Sequence, residues 1–332
     1  MIIDMEPFIF SVNAVMPLVT LAALGYILRR FGIITPAWAA AANKLCFRSF
    51  LPVLLFMNIY GADSLTDVDW GLTLFTFAGI LLGFFLGYIT QAALVTDRRQ
   101  KGVVWQAAYR SNFALLGMPL AISLFGREGG QSAAVLSLFT IPLFTVLSIF
   151  SLRGCDDSNR STGMKPVLMT IIKNPIIWGV ILGFLALTVR WLNVRAGIGF
   201  RLTDITFLYS AATSMSQVAS PLALISLGAQ FNFKAARGLL KPLAASVSLR
   251  LLVVPVVMLA AAYLFFPGFY GAGFAALISV FASPVAVSGT VMALEMGGDT
   301  DLAAQTLFWT TVISAVTIFL FVYVFRMLGA LG

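Results

Sequence analysis

The chain has 332 residues, of which 60% are hydrophobic and 10% are charged, and its formal net charge is +8. Soluble domains carry about 25% charged and 45–50% apolar residues, so this composition excludes a soluble globular protein and indicates an integral membrane protein. The apolar runs are continuous and long, which predicts membrane-spanning helices and excludes the short alternating strands of a membrane barrel.

Apolar runs between charged or turn-rich breaks predict ten membrane-spanning helices. In chain order the predicted spans are 8–29, 43–61, 70–95, 103–126, 131–152, 167–191, 204–230, 242–266, 270–296 and 302–328. Each run is close to the roughly 20 apolar residues that cross the hydrocarbon core of a bilayer. The predicted fold class is therefore an all-α polytopic membrane protein.

Lysine and arginine are distributed unevenly between the two sides of the membrane that these spans define. Of the 21 Lys and Arg residues, 16 fall on the side that holds the connections 1/2, 3/4, 5/6 and 7/8. Since the side richer in Lys and Arg is cytoplasmic, both termini are predicted outside. The 9/10 turn has Asp299 and Asp301 but no Lys or Arg, so it neither supports nor opposes this orientation.

The longest polar stretch divides the ten spans into five and five. We predict a first five-helix repeat over 1–152, a cytoplasmic connection over 153–166 and a second five-helix repeat over 167–332. Because five is odd, two related halves would lie in the membrane with opposite orientation, which is the inverted-repeat plan of many secondary transporters.

Prolines occur at corresponding places in the two halves. The second span of each half contains Pro52 or Pro221, and the fourth span of each half contains Pro119 or Pro284 within a stretch that holds Gly and Ser. A proline removes a helix hydrogen bond, and in lipid the freed groups must find partners or line a cavity. One interpretation is that these prolines only kink their helices. The paired positions favour broken helices 4 and 9 that cross at a substrate site.

The predicted helix breaks favour an anionic substrate. A helix that restarts at Pro119 or Pro284 would direct free N–H groups and the positive end of its dipole at the bilayer centre. Asn112 lies seven residues before Pro119 and offers both a donor and an acceptor to a carboxylate. An asparagine in a membrane helix can also serve only as a contact between helices.

Other polar residues near the breaks are weaker candidates. Ser111, Ser283 and Ser288 are included in the predicted site, although a membrane serine often bonds its own backbone carbonyl. Arg110 can add positive potential for an anion or extend to the cytoplasmic surface, and we favour the second interpretation. No Asp or Glu lies in the middle of a predicted span, so no carboxylate relay for protons is visible.

The composition argues against a metal site, a cofactor and an enzyme. The chain has no histidine, and its two cysteines, Cys46 and Cys155, are far apart, so no Cys/His metal site or disulfide framework is expected. Acid/base or nucleophilic catalysis needs a nucleophile beside a base, and no such set can be assembled. No P-loop or dinucleotide motif is present. The basic excess is interpreted as loop orientation, so no nucleic-acid partner is expected.

Four short motifs, in this order and spacing along the ten spans, resemble the auxin efflux carrier family, whose bacterial members include proteins described as malonate or malate permeases. The motifs are residues 110–120 (RSNFALLGMPL), 174–175 (NP), 221–228 (PLALISLG) and 301–303 (DLA). The resemblance covers essentially the whole chain. It implies two inverted five-helix repeats, with helices 4 and 9 crossing at prolines and the substrate near that crossing.

The resemblance also implies roles for individual residues. Asn112 matches an asparagine that contacts the substrate carboxylate in the plant carriers, and Pro119 and Pro284 match the crossover prolines. Leu51 and Pro52 match a position beside the pocket. The complete set of predicted substrate-binding residues is Asn112, Ser111, Gly117, Pro119, Ser283, Pro284, Ser288, Leu51 and Pro52. The long loop of the large plant carriers is reduced here to about a dozen residues, and auxin itself is a poor candidate substrate.

We therefore expect a secondary carrier of small organic anions, mono- or dicarboxylates such as malonate or malate, in the inner (plasma) membrane of a bacterium. The alternatives are a sodium-coupled symporter of the bile-acid type and a non-transporting membrane sensor or channel. The coupling ion, a proton or sodium, stays open. A homodimer is also open, since the small residues of 37–42 can pack helices within one chain or between two.

Overall fold

Helices account for almost all of the chain that the computed structural model describes, which is residues 6–61, 68–153, 172–197, 199–231 and 238–331. The helices in chain order are α1 Glu6–Arg30, α2 Pro36–Tyr60, α3 Trp70–Leu94, α4 Arg98–Tyr109, α5 Phe113–Leu152, α6 Pro175–Arg195, α7 Thr206–Gln230, α8 Leu240–Phe265, α9 Ala272–Phe281, α10 Val287–Glu295 and α11 Thr300–Met327. Two short 3-10 helices span Leu202–Asp204 and Pro267–Phe269. Within the described residues there is no β-strand beyond one isolated bridge, so the all-α prediction is confirmed.

Six helical stretches in the described ranges are long and apolar enough to cross a membrane. They are α2, α3, α5, α6, α8 and α11, with mean hydropathy between 1.3 and 2.2. Large apolar side chains such as Leu74, Phe85 and Leu185 are exposed on these helices, with 56% or more of their surface accessible. Such an outward apolar surface suits lipid, so the chain is an integral membrane protein.

The helices lie close to the predicted spans, and two of those spans are each divided into two helices. Predicted span 103–126 covers most of α4 and the beginning of α5, and predicted span 270–296 covers α9 and α10. Within α5, Phe125 and Gly126 depart from helical geometry and form a kink. The part of α5 after this kink covers predicted span 131–152.

One predicted region falls largely outside the described residues. The connection predicted over 153–166 is described only at Arg153, and the first residues of predicted span 167–191 are likewise not described. In the described part of that span, the α6 helix begins at Pro175, directly after Asn174. The Asn174 side chain accepts a hydrogen bond from the second amide of the helix and so caps its N-terminus.

Three aspartates set the start of three other helices in the same way. Asp69, Asp97 and Asp299 occupy the N-cap positions of α3, α4 and α11, and each side chain accepts a hydrogen bond from a backbone amide of the first turn. The first amides of a helix have no partner within the helix, and a carboxylate there also suits the helix dipole. These caps define where the chain re-enters a helix after a short connection.

Three prolines each follow a π-helical turn. The turns are Cys46–Phe50, Phe113–Gly117 and Leu249–Val253, and the prolines that follow them are Pro52, Pro119 and Pro255. Proline lacks an amide hydrogen, so the carbonyl four residues earlier loses its helical partner, and a wider turn relieves the clash. The prediction that a helix restarts at Pro119 is wrong, because α5 has already begun at Phe113 and runs through the proline.

The first turns of α2 pack against α7 within the same chain. Ala39 and Ala42 are buried, and the Ser226 hydroxyl donates a 2.7 Å hydrogen bond to the Ala39 carbonyl. The small residues at 37–42 therefore let α2 approach α7 closely within one chain, which is one of the two packing roles that the sequence left open.

Candidate functional site

The two interrupted helices meet at their interruptions. The chain leaves helical geometry between α4 and α5 at residues 110–112 and between α9 and α10 at residues 282–286. Ser111 and Val285 form an antiparallel β-bridge there. The Asn112 amide donates to the Pro284 carbonyl at 2.8 Å, and the Ala286 amide donates to the Arg110 carbonyl at 3.2 Å. We call these two interrupted segments the crossover.

The crossover arranges four helix ends around one point. Both interruptions lie at this antiparallel bridge, so α4 and α9 end beside it, and α5 and α10 begin beside it. Gln106 on α4 donates a 2.8 Å hydrogen bond to the Gly289 carbonyl on α10, which ties the two helices side by side. Two negative C-terminal helix ends and two positive N-terminal helix ends therefore lie close together.

A small cavity borders the crossover on the side of the two helix N-termini. It has a volume of about 30 Å³, which is room for about two water molecules. Its lining comes from α2, the crossover, α5, α7 and α10, and consists of Leu51, Leu54, Leu55, Arg110, Ser111, Asn112, Phe113, Ala114, Leu115, Ile141, Phe144, Thr145, Ser220, Ala286 and Ser288. We call it the crossover cavity. It is far below the roughly 300–1,000 Å³ of typical ligand pockets, so we expect the surrounding helices to move apart when an acid binds.

Two polar side-chain atoms at this cavity have no hydrogen-bond partner. Asn112 is 3% exposed and Ser111 is 4% exposed. The Asn112 Nδ2 and the Ser111 Oγ are both buried and make no hydrogen bond. An unsatisfied buried donor costs about 1–3 kcal/mol, and a bound group that accepts from it recovers that cost. Both side chains therefore suit a ligand that carries hydrogen-bond acceptors.

Backbone amides add to these donors. Asn112 is the N-cap of α5, and its carbonyl accepts from the Leu116 and Gly117 amides. The amides of Phe113, Ala114 and Leu115 come before the first amide that bonds within the helix, so they have no acceptor in α5. All three residues line the cavity. The N-terminus of α5 thus faces the cavity with the polarity that favours an anion.

Arg110 is part of this site, and the interpretation that it extends to the cytoplasmic surface is wrong. Its side chain is 3% exposed and lines the crossover cavity. Its guanidinium donates to the Phe144 carbonyl at 3.3 Å, to the Met292 Sδ at 3.4 Å and to the Ser288 Oγ at 3.3 Å. Within the described residues no carboxylate contacts it. Arg110 is therefore a buried positive charge held only by long hydrogen bonds.

The room for Arg110 comes from a glycine on α10. A Cβ atom at Gly289 would lie 2.7 Å from the Arg110 Cδ and 2.9 Å from its Nε. Any larger residue at this position would displace the guanidinium. The sequence indicated Arg110 as a candidate, since it directly precedes Ser111 and Asn112. Sequence alone could not show which residues would pack around its side chain.

Several predicted site residues lie at the crossover without lining the cavity. Pro284 is buried in the second interruption and accepts the bond from Asn112 through its carbonyl. The Ser283 Oγ donates a 2.6 Å hydrogen bond to the Ser279 carbonyl in the preceding turn of its own chain segment. Gly117 packs against that same region of α9, since a Cβ there would lie 2.6 Å from the Ser279 carbonyl oxygen. These residues shape the crossover and are not positioned to touch a ligand in the cavity.

Two other predicted residues lie away from the cavity. Pro119 is exposed on the first turns of α5. Pro52 packs its backbone against Gly179 of α6, where no side chain would fit. Its neighbour Leu51 is 1% exposed and does line the cavity. Of the predicted set, the structure brings Leu51, Ser111, Asn112 and Ser288 together at the cavity.

The prediction did not include Arg250, which is the largest fully buried side chain in the described residues. It is 1% exposed and lies in the π-helical turn of α8, where its guanidinium donates to the Ser283 and Tyr109 carbonyls of the crossover region. In the sequence it could have been noticed because it lies eight residues inside predicted span 242–266. A charged residue at such a depth usually has a function.

A larger cavity lies elsewhere, between α1, α7 and α11. It has a volume of about 300 Å³ and is lined by Val19, Ala22, Ala23, Tyr26, Ile27, Leu224, Leu227, Gly228, Phe231, Ala304, Leu307, Phe308 and Thr311. Its walls are almost entirely apolar. An anion placed there would lose its hydration without gaining a cationic partner, so this cavity does not suit a carboxylate.

Comparison with a family profile identifies the family. A family profile described as "Membrane transport protein" matches residues 10–156 and 157–322. A protein described as an uncharacterized transporter, from Methanothermobacter thermautotrophicus, is 28% identical over 316 residues, which is 94% of this chain and 97% of that protein. The profile matches nearly the whole chain, in agreement with the motifs around Asn112 and Pro221. The chain belongs to the membrane transport protein family, which is the auxin efflux carrier family.

Proposed function

We propose that this protein is a secondary transporter of small organic anions, mono- or dicarboxylates such as malonate or malate, that works by alternating access at the crossover. The observation that carries this proposal is the set of donors at the crossover cavity. The Asn112 Nδ2 and the Ser111 Oγ are buried without partners beside the guanidinium of Arg110. Donors without acceptors, next to a cation without a carboxylate, suit a bound carboxylate.

The size and position of the cavity support alternating access. At about 30 Å³ the cavity is far smaller than the roughly 300–1,000 Å³ of typical ligand pockets, which suits a closed state of a carrier. It lies between the crossover on one side and side chains of α2 and α7, among them Leu51 and Ser220, on the other. A relative movement of these two sides would open it first to one face of the membrane and then to the other.

We further propose ten membrane spans in two inverted five-helix repeats, with both termini outside and the protein in a bacterial inner membrane. In this arrangement α4 and the first part of α5 form span 4, and α9 and α10 form span 9. Contacts at the 9/10 turn support the orientation. The Asp299 amide donates to the Arg99 carbonyl at 3.0 Å, and the Gln100 side chain donates to the Asp299 carboxylate at 3.0 Å. The 9/10 turn therefore lies at the same face as the Arg-rich 3/4 connection, which the charge bias predicts to be cytoplasmic.

Uptake into proteoliposomes tests the proposed function. Purified protein would be given labelled malonate, labelled malate and a labelled monocarboxylate, with an imposed pH gradient, a sodium gradient or neither. We expect saturable uptake of at least one acid by the parent protein. The gradient that accelerates it identifies the coupling ion. No uptake of any acid by folded protein would contradict the proposed substrate class and favour a sensor.

A matched pair of variants locates the site in the same assay. Asn112→Ala removes the proposed carboxylate donor, and Asn58→Ala is its control. Asn58 also has a buried Nδ2 without a partner, but it does not line the crossover cavity. We expect Asn112→Ala to abolish uptake and Asn58→Ala to retain it. Equal uptake by the two variants would contradict the assignment of Asn112.

A further inference from the structure

Arg250 binds the backbone of both interrupted helices at once. Its Nε donates to the Ser283 carbonyl at 2.8 Å, and its Nη1 donates to the Tyr109 carbonyl at 3.2 Å. Its Nη2 donates to the Val280 carbonyl at 2.9 Å and to the Phe281 carbonyl at 2.7 Å. Four carbonyl oxygens from two segments that are distant in sequence therefore converge on one guanidinium.

Three of these oxygens belong to the last residues of α4 and α9, and the fourth lies just beyond the end of α9. Tyr109 is the last residue of α4, and Val280 and Phe281 are the last two residues of α9. The last carbonyls of a helix have no partner within the helix and form the negative end of its dipole. Two such ends point at Arg250. Within the described residues no carboxylate contacts its side chain, so the backbone is its counter-charge.

Converging carbonyls of this kind are a site for a cation. In carriers with broken helices, unwound carbonyls and half-helix C-terminal ends hold the coupling sodium ion or proton. Backbone carbonyl oxygens can replace the hydration shell of an alkali-metal ion. Here a covalently attached guanidinium fills that place. An arginine stays protonated at any physiological pH, so this charge is permanent.

We propose that Arg250 is a built-in substitute for a coupling metal ion, and that this protein therefore requires no alkali-metal ion to hold its crossover together or to carry its anion. The second half of this statement rests on the proposed function, whereas the first half does not. In this arrangement the negative and the positive helix ends of the crossover have different partners. The helix C-termini face Arg250, and the N-termini of α5 and α10 stay free for the substrate at the crossover cavity.

The test is whether removal of the guanidinium creates a cation site. The parent protein, Arg250→Ala, Arg250→Lys and the control Lys241→Ala would be reconstituted in lipid nanodiscs without substrate. Lys241 is on the same helix and is exposed. Thermal unfolding followed by tryptophan fluorescence would be measured in sodium chloride and in choline chloride at equal ionic strength, so that only the small cation differs.

We expect the parent and the Lys241→Ala variant to unfold at the same temperature in both salts. Arg250→Ala should unfold at a lower temperature in choline chloride, and sodium should raise its midpoint in a saturable manner by about 3 °C or more, as for any ligand that binds only the folded state. Arg250→Lys keeps the charge, so sodium should leave its midpoint unchanged. A purely structural role for Arg250 predicts the loss of stability without the response to sodium.

Two results would overturn the proposal. One is a sodium response in the parent protein, and the other is a folded Arg250→Ala whose unfolding midpoint sodium does not raise. If Arg250→Ala gives no folded protein, the test uses Arg250→Lys and the parent. A sodium response in either of them would contradict the proposal. The unfolding measurement contains no substrate. Its result is therefore independent of whether the carboxylate uptake assay succeeds.

Discussion

The main-chain amide of Asn112 donates a 2.8 Å hydrogen bond to the carbonyl of Pro284, across 172 residues of sequence. This bond joins the two interrupted helices at the point where each changes direction. It uses the backbone of Asn112 and leaves the Nδ2 of its side chain unpaired beside the crossover cavity. The residue therefore fixes the crossover and supplies a free donor to it.

Arg110→Gln tests the charge at the cavity. We expect the variant to bind carboxylates more weakly by about 10- to 100-fold, because a hydrogen bond to a charged group contributes about 1.5–3 kcal/mol. Its unfolding temperature should be unchanged or higher, because a buried charge without a carboxylate partner is costly. Equilibrium binding and thermal unfolding would be measured together. Lys101→Gln, on the preceding helix α4, is the control. Normal carboxylate binding by Arg110→Gln would exclude Arg110 from the site.

Gly289→Ala tests the position of that charge without removing any donor. The new Cβ would lie 2.7 Å from the Arg110 Cδ, so the guanidinium must shift. We expect about a 10-fold loss of carboxylate affinity, since a small misplacement of a binding group has a large effect. The same binding assay measures it. Unchanged affinity would mean that the substrate does not contact Arg110.

Gly117→Ala tests the close contact between α5 and α9. A Cβ at this position would lie 2.6 Å from the Ser279 carbonyl oxygen and 2.7 Å from a ring carbon of Phe113. Overpacking of this kind costs about 1–3 kcal/mol, so the unfolding temperature should fall. Gly199→Ala is the control, because no atom lies within 4 Å of a Cβ there. Equal stability of the two variants would show that the crossover tolerates a wider separation.

The natural cysteines test the proposed orientation. Cys46 is buried and should not react with a membrane-impermeant maleimide in the folded protein. Cys155 lies in the connection that the charge bias predicts to be cytoplasmic. We therefore expect labelling in inside-out vesicles and none in right-side-out vesicles. Gly199→Cys, in the 6/7 connection of a variant that also carries Cys155→Ser, should give the reverse. Labelling of Cys155 from outside in the parent protein would contradict the orientation.

The helices were predictable because their signals are local. An apolar run long enough to span a bilayer, preceded by a capping aspartate such as Asp69 or Asp299, can be recognised without knowledge of distant residues. The π-helical turns were not predicted. A proline reveals that one hydrogen bond is lost, but whether the helix breaks, as beside Pro284, or only widens, as before Pro119, depends on what packs against it.

The candidate site was predictable only in part for the same reason. Asn112 and Ser111 were found because they precede a proline in a span with a paired partner in the other half. The environments of Arg110 and Arg250 depend on contacts over long sequence distances. Arg250 meets Tyr109, which is 141 residues earlier, and Arg110 meets Met292, which is 182 residues later. Local sequence shows that these arginines lie in apolar runs but not which groups surround them.

The most direct test of the central claim is an experimental structure of the protein with the acid that gives the highest uptake. We predict that the cavity has widened and that the acid lies at the crossover, with a carboxylate within hydrogen-bond distance of the Asn112 Nδ2 and beside the Arg110 guanidinium. An acid found in the apolar cavity between α1, α7 and α11, or one that makes no contact with Asn112, would contradict the proposed site.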